Sequence, residues 1–302
     1  MKLKMSILYL LSALRPKQWT KNLLVFSAPL FSYSDNREVW LAAALTFVGF
    51  CSISSSIYLI NDLLDIESDR NHPKKSKRAI ASGHVSIKQA VILSLLLLCA
   101  GFFIVLNLDQ RVFIIFTSYS LIQLSYCLIF KKIPLLDIFC ISAGFLLRAI
   151  SGGLAGGLII SPWFLLSITL SALFLAIEKR KAELKWSQKT GKFNRRVLRF
   201  YSTSLLTKFE NIVTSSAFVF YSLWASGPKL NGAPTEWMLL TVPFVLIGIF
   251  RYQFISETIE DSEKIFTIKT ENPEEILLND NFIKIIIICW ITTTFMIGYF
   301  FA

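Results

Sequence analysis

Four side chains that carry oxygen ligands recur at helical spacing in one short segment, namely Asn61, Asp62, Asp65 and Asp69. At about 100° per residue, they fall within an arc of roughly 100° on one face of a helix. Crowded carboxylates repel each other unless a cation lies among them, and Mg²⁺ prefers oxygen ligands, so the segment predicts a metal site. The predicted magnesium ligands are Asn61, Asp65 and Asp69, and the predicted catalytic carboxylates are Asp62, Asp65 and Asp69.

A run of basic residues follows the carboxylates directly. Pro73 is predicted to end the helix, because proline lacks an N–H and disfavours helical backbone at the residue before it. The side chains around and beyond it can bind phosphate oxygens that a metal leaves exposed; they are Lys74, Lys75, Lys77 and Arg78. The alternative is a solvated helix end whose charges neutralise each other. Carboxylates within one turn of an apolar segment are usually functional, which favours a binding site for a metal diphosphate.

Seven further residues are candidates for substrate contacts, because each places a polar group at the edge of an apolar segment or inside one: Lys17, Lys21, Asn22, Tyr58, Lys131, Lys132 and Arg148. The lysines could reach a phosphate, although anchoring at the membrane interface explains them as well. An arginine inside a membrane segment is costly and is by default a site candidate. Tyr58 lies one turn before Asn61 on the same face, where it could contact a substrate or simply pack.

The elements that must position these residues are membrane helices. Of 302 residues 54% are hydrophobic and 17% charged, and the mean hydropathy is +0.57, which is too apolar for a soluble domain. Because about 20 apolar residues span the hydrocarbon core, we predict an all-α polytopic protein with about nine spans. They lie near 21–35, 39–60, 89–107, 111–130, 135–157, 160–178, 206–226, 236–256 and 282–301. Pro29 interrupts the first, so a tilted or re-entrant segment is the alternative there.

The distribution of charge predicts the orientation. The net charge of +11 is concentrated in alternate short connections between apolar segments, which is typical of the cytoplasmic side of a membrane protein and argues against a nucleic-acid partner. The N-terminus and the site are therefore expected on the cytoplasmic side of the cell (inner) membrane. No long polar stretch separates a soluble part, so residues 1–302 are predicted to form a single transmembrane domain.

The run NDLLDIESDRNHPKKSKRAIASG, residues 61–83, resembles the first aspartate-rich motif of the UbiA prenyltransferase superfamily. Members of that superfamily are intramembrane helical enzymes that use magnesium and a diphosphate substrate. Three more segments resemble its decaprenyl-phosphate phosphoribosyltransferase branch: RPKQWTKN at 15–22, LFLAIEKRKAEL at 173–184 and NPEEILLND at 272–280. The resemblance implies helices around a central cavity that opens to the cytoplasm.

The second charged segment departs from the pattern of aromatic prenyltransferases, which present a second aspartate-rich motif. Here the corresponding residues are Glu178, Lys179, Arg180, Lys181 and Glu183, a mainly cationic group. A site with acidic and basic walls suits a substrate that carries more phosphate than one prenyl diphosphate. Lys179 and Arg180 are therefore predicted to bind substrate, and membrane anchoring by positive charge is the alternative.

The resemblance as a whole implies an Mg²⁺-dependent transfer of 5-phosphoribose from phosphoribosyl pyrophosphate to a polyprenyl phosphate, with release of diphosphate, in cell wall biosynthesis. A phosphate oxygen is already ionised near neutral pH, so the attack needs no general base. One alternative is a prenyltransferase that moves a polyprenyl group from its diphosphate to an aromatic acceptor. The other is a transporter of phosphorylated solutes or lipids. A homo-oligomer is left open.

Overall fold

The computed structural model describes residues 2–71, 75–191, 195–258 and 279–301, and these residues form helices without a single strand. The all-α prediction is confirmed. The α-helices are α1 (Lys2–Ala13), α2 (Ser27–Phe31), α3 (Arg37–Leu64), α4 (Ile66–Arg70), α5 (Ile87–Val105), α6 (Gln110–Leu128), α7 (Leu136–Ala155), α8 (Pro162–Thr190), α9 (Thr203–Ala225), α10 (Val242–Thr258) and α11 (Asn281–Phe301). The predictions for Pro73 and Lys74, and those for residues 272–278, lie outside the described residues.

Seven helical stretches in the described part of the chain are long and apolar enough to cross a bilayer. They are Arg37–Leu64, Ile87–Val105, Gln110–Leu128, Leu136–Ala155, Pro162–Lys189, Glu236–Glu257 and Asn281–Phe301. The chain is thus a multi-pass membrane protein, but the predicted count of nine spans is not confirmed.

Two predicted spans account for the difference. Instead of one long helix, 21–35 contains the end of a 3₁₀ helix (Pro16–Phe26) and the five residues of α2. Pro29 lies within α2, and a polar side chain in the 3₁₀ helix, Asn22, is fully buried by the protein. The second, 206–226, does form α9, but polar residues such as Lys208 and Glu210 lower its hydropathy.

Local sequence signals explain where several helices begin and end. Ser86 accepts a hydrogen bond from the backbone N–H of Gln89, whose side chain accepts one from the backbone N–H of Ser86, so both cap the start of α5. Pro162 occupies the first turn of α8, where its missing N–H costs nothing. Gly191, with φ of 67°, ends that helix in the left-handed conformation that glycine adopts without strain.

The described chain forms two compact units, each with its own hydrophobic core. Unit 1 comprises residues 1–30, 34–131 and 143–159, and unit 2 comprises 31–33, 132–142 and 160–302. In unit 1, α3 packs against α5 and α6 around Phe50, Ile53 and Phe116. In unit 2, α8 packs against α9 around Ile177 and Leu206. The single domain expected from the sequence stays a prediction.

Candidate active site

The carboxylates lie at the end of α3, in unit 1. Asp65 ends α3 with φ of −99° and ψ of 10°, and α4 starts at the next residue. The backbone N–H of Asp65 still donates to the Asn61 carbonyl at 3.0 Å, and that of Asp69 to the Asp65 carbonyl at 2.8 Å. These bonds have the i to i−4 spacing of an α-helix, so the predicted helical register holds through the break.

One ammonium group bridges two of the predicted ligands. The Nζ of Lys131 donates to both Asp65 carboxylate oxygens, at 2.7 and 2.9 Å, and lies 3.4 Å from the Asn61 Oδ1. The Asp65 side chain keeps a third of its surface exposed. Three oxygen atoms of Asn61 and Asp65 therefore converge on one cationic position that a ligand can reach.

The other two carboxylates are bound by guanidinium groups. Arg78 Nη1 lies 3.0 Å from Asp62 Oδ1 and 2.5 Å from Asp69 Oδ2, and Arg15 Nη2 lies 2.5 Å from the same Asp62 oxygen. The Asp62 and Asp69 side chains are both buried. The predicted carboxylate face is therefore divided into a partly exposed pair, Asn61 and Asp65 (the exposed pair), and a buried pair, Asp62 and Asp69, that contacts arginines.

The exposed pair has the donor chemistry that Mg²⁺ requires. Mg²⁺ takes six oxygen ligands and is usually held by one or two carboxylates together with substrate phosphates and water. Among the described residues, no three Asp, Glu, His or Cys side chains are grouped to hold a metal by themselves. Asn61 and Asp65 thus fit a metal that a phosphate substrate helps to bind. A metal-binding role for Asp69, whose carboxylate contacts Arg78, stays a prediction.

The predicted phosphate-binding lysines differ in exposure. Lys17, Lys77 and Lys132 are exposed, and Lys21 and Lys75 are half-buried. Trp19 donates from its indole nitrogen to Ser55 at 3.0 Å, which attaches the 3₁₀ helix carrying Lys17 and Lys21 to α3. Substrate contacts by these lysines stay predictions.

Asn22 and Arg148, two candidates for substrate contacts that lie far apart in the sequence, contact each other in the interior of unit 1. Arg148 Nε donates to Asn22 Oδ1 at 2.7 Å, and its two terminal nitrogens donate to the Tyr119 hydroxyl and the Gly144 carbonyl, both at 2.7 Å. Asn22 in turn donates to Ser54 Oγ at 3.3 Å. Both side chains are buried, so these contacts attach the 3₁₀ helix to α3, α6 and α7.

Arg148→Met is expected to lower stability, because it leaves the buried Asn22 carbonyl oxygen without its guanidinium donor. Leaving such a group unsatisfied costs about 1–3 kcal/mol. Thermal unfolding of the purified protein in detergent measures the effect. Arg111→Met is the control, since Arg111 is exposed and its ion pair with Asp109 is solvated. An unchanged unfolding temperature for Arg148→Met would show that the buried contacts carry no stability.

The second charged segment lies in unit 2, where carboxylates of the segment itself and of distant parts of the sequence neutralise its cations. Arg180 is fully buried, with Nε 2.9 Å from Asp137 Oδ2, and it also pairs with Glu183. Lys181 is buried against Glu210 at 2.5 Å. Lys179 is half-buried. Substrate binding by Lys179 and Arg180 stays a prediction, and the contacts described here for Arg180 are all to its own unit.

Sequence reasoning assigned Arg15 no role at the site, although Arg15 is the first residue of the RPKQWTKN motif. An arginine directly before a proline, at the junction of α1 and the 3₁₀ helix, was the available signal.

Of the NPEEILLND motif, Asp280 is described at its end. Its carboxylate accepts from Ile283 N–H at 2.9 Å and pairs with Arg251 at 2.8 Å. Burial raises the pKa of Asp280, but these hydrogen bonds outweigh it and hold that pKa below its usual range.

Comparison with known proteins bears on this site. The sequence profile of the UbiA prenyltransferase family matches residues 23–270. The decaprenyl-phosphate phosphoribosyltransferase of Mycolicibacterium smegmatis is 38% identical over 304 aligned positions, covering 96% of this chain and 92% of that protein. The enzyme of the same name from Corynebacterium glutamicum is 33% identical, covering 96% and 86%. A UbiA homolog from Archaeoglobus fulgidus bound to GPP and Mg²⁺ superposes with a TM-score of 0.71 at 19% identity, covering 96% and 99%.

Proposed function

Since this chain belongs to the UbiA prenyltransferase family, we propose that it transfers 5-phosphoribose from phosphoribosyl pyrophosphate to a polyprenyl phosphate of the decaprenyl type. Diphosphate is the other product. The observation that carries the proposal is the 38% identity, along 96% of this chain, to a relative named decaprenyl-phosphate phosphoribosyltransferase. The side-chain oxygens of Asn61 and Asp65, which converge on the Lys131 ammonium, are the part of the structure that fits a metal diphosphate.

The metal in this proposal is Mg²⁺, which the related Archaeoglobus fulgidus structure contains. When bound, it would neutralise the charge that develops on the departing diphosphate. Asn61 and Asp65 would hold it from the protein side. Lys131, which contacts both residues, is within reach to donate to diphosphate oxygens from its ammonium group. Asp62 and Asp69 keep Arg78 in place beside them.

The bond changes need no proton transfer by the protein. An ionised oxygen of the lipid phosphate attacks the anomeric carbon of ribose, and the bond from that carbon to the diphosphate oxygen breaks. The electron pair leaves with the diphosphate. The main task of the basic side chains is to position both phosphates in line, because correct orientation removes a large part of the barrier. Attack opposite the leaving group inverts the anomeric centre to the β configuration.

The site is proposed to face the cytoplasm, with the isoprenoid tail in the membrane. α3, α5 and α6 are consecutive membrane helices of unit 1, so α3 and α6 cross in the same direction and end on the same side. The contact of Lys131, just after α6, with Asp65, at the end of α3, agrees with this. Basic residues such as Arg70, Lys77 and Lys131 accumulate at this side, which is typical of the cytoplasmic face.

A reconstituted transfer assay tests the proposal. The purified protein in lipid vesicles receives phosphoribosyl pyrophosphate labelled in the ribose, decaprenyl phosphate and Mg²⁺. We expect label in the lipid fraction, and we expect EDTA to abolish it. A parallel reaction offers decaprenyl diphosphate and an aromatic acid. Prenylation of the acid without ribosyl transfer would overturn the proposal in favour of an aromatic prenyltransferase, and uptake of labelled solute without any product would overturn it in favour of a transporter.

A further inference from the structure

We propose that Arg15 is a further substrate-binding residue, whose guanidinium group acts beside that of Arg78 and donates hydrogen bonds to a phosphate oxygen. This inference rests on the proposed function, because it assigns another phosphate ligand at the same site. It goes beyond the acidic motif, since Arg15 lies 47 residues before its partner Asp62 in the sequence.

The first observation is that two guanidinium groups share one carboxylate oxygen. Arg15 Nη2 lies 2.5 Å and Arg78 Nη1 3.0 Å from the same Oδ1 of Asp62. Two cations held this close together repel each other, and the single charge of Asp62 offsets only part of that repulsion. Asp69 adds a second carboxylate contact on the Arg78 side of the cluster. With Asp62 and Asp69 the cluster holds two cations and two carboxylates, so a phosphate would be bound through N–H groups that these carboxylates do not occupy and not through an excess of positive charge.

The second observation is which part of this cluster remains accessible. The Asp62 side chain is only 6% exposed, whereas Arg15 and Arg78 are 24% and 26% exposed. The accessible surface of the cluster therefore belongs to the two arginine side chains and not to Asp62. Each guanidinium has five N–H groups in a fixed fork, more than its carboxylate contacts use. This geometry suits the oxygens of a phosphate, which such forks bind in pairs.

The third observation is the backbone of Arg15. Its φ of 54° and ψ of 58° lie in the left-handed region, which is uncommon for a non-glycine residue. The position before Pro16 makes it more unusual, because residues before proline prefer extended backbone. Such strain persists where the surroundings fix the residue, and it is frequent at ligand sites. Here the guanidinium is fixed by Asp62 and lies 5.0 Å from the centre of the Tyr58 ring.

The position of the pair relative to the metal ligands completes the argument. Asp62 follows Asn61 directly and lies about one turn before Asp65 at the end of α3, so the arginine pair is adjacent to the predicted metal ligands. A phosphate bound by Arg15 and Arg78 would be next to a metal held by Asn61 and Asp65. Tyr58, predicted from the sequence to contact substrate or to pack, acquires a definite role as the ring that supports Arg15.

Binding measurements on full-length protein in nanodiscs test this inference with three probes: inorganic pyrophosphate with Mg²⁺, ribose 5-phosphate, and decaprenyl phosphate. For Arg15→Gln, we expect the affinity for at least one probe to fall about tenfold to a hundredfold, as for the loss of a charge-assisted hydrogen bond. The probe affected identifies the phosphate that Arg15 binds. Arg111→Gln, which removes an exposed arginine that pairs with Asp109 at the other end of α6, should leave all three affinities unchanged.

Two outcomes would overturn the inference. The first is an Arg15→Gln protein whose unfolding temperature falls while all three affinities stay within twofold of the wild type, which would make Arg15 purely structural. If Arg15→Gln does not fold, Arg15→Lys replaces it, because lysine keeps the positive charge but lacks the fork of N–H groups. Unchanged affinities of Arg15→Lys for all three probes are the second outcome that would overturn the inference. Failure of the proposed function is distinguishable. If the proposed function is wrong, the wild type makes no ribosylated lipid in the transfer assay. The affinities of the wild type and of Arg15→Gln for pyrophosphate can still be measured and compared.

Discussion

Asp65→Asn is expected to lower the transfer rate at saturating substrate at least about a hundredfold. Asp65 is a carboxylate of the acidic segment with a third of its side chain exposed, and both its oxygens face the position occupied by the Lys131 ammonium. Asparagine preserves the shape of the side chain but removes its negative charge. The Asn61 oxygen and the amide oxygen introduced beside it would then hold a divalent cation weakly, and the rate should recover only partly at high Mg²⁺.

The control for this variant is Asp109→Asn. Asp109 is also a carboxylate paired with a cation, Arg111, but it caps the opposite end of α6 from Lys131. Its replacement should leave the rate and the Mg²⁺ requirement unchanged. Initial rates measured across a Mg²⁺ titration give both quantities. If Asp65→Asn turned over like the wild type at every Mg²⁺ concentration, the exposed pair would have no part in the reaction.

Gly152→Ala is expected to destabilise the protein severely, and it acts on packing, not on chemistry. A methyl group at Gly152 in α7 would lie 1.8 Å from the backbone oxygen of Val25 and 2.7 Å from its carbonyl carbon. Backbone atoms cannot rotate away as a flexible side chain can. We therefore expect a cost of at least about 3 kcal/mol, at the upper end of the range for overpacking. The 3₁₀ helix that carries Val25 and Asn22 would be displaced from α7.

Gly248→Ala is the matched control, because Gly248 also lies within a membrane helix, α10. The nearest atom to a methyl group at this position would be Ile286 Cγ2 at 3.9 Å, an ordinary contact. Alanine has a better helix propensity than glycine, so this variant should be as stable as the wild type or slightly more so. Thermal unfolding and the monodisperse fraction after purification compare the two. A Gly152→Ala protein as stable as Gly248→Ala would contradict the close approach of α7 and Val25.

Short-range periodicity in the sequence predicted the helical register of the acidic segment. Asn61, Asp65 and Asp69 keep helical register, because the backbone hydrogen bonds continue through the break at Asp65. The division of the four side chains into a partly exposed pair and a buried pair was beyond sequence reasoning. It depends on Lys131 and Arg15, which reach the segment from 70 and 47 residues away. Contacts of that kind exist only in the folded chain.

The two predicted spans that are not confirmed also have a physical explanation. The hydropathy of residues 21–35 reflects how many of these residues are apolar. It does not include the effect of Pro29, which lies in the short helix α2, or the hydrogen bond from Arg148 to the buried Asn22 side chain. The segment around Arg180 was interpreted as cationic from its own residues alone. Besides carboxylates of the segment itself, such as Glu183, its partners include Asp137 and Glu210 from other helices, which the segment alone does not reveal.

The claim that Asn61 and Asp65 hold the metal for the diphosphate of phosphoribosyl pyrophosphate is tested most directly by locating the metal. Mn²⁺ can replace Mg²⁺ and is visible by anomalous diffraction from crystals grown with phosphoribosyl pyrophosphate. We predict a peak at bonding distance, about 2.1 Å for Mg²⁺ itself, from Asn61 Oδ1 and an Asp65 carboxylate oxygen, with diphosphate oxygens as further ligands. The Lys131 ammonium should have moved off that position. A bound substrate with its metal elsewhere, or with Lys131 still on Asp65 and Asn61, would contradict the account.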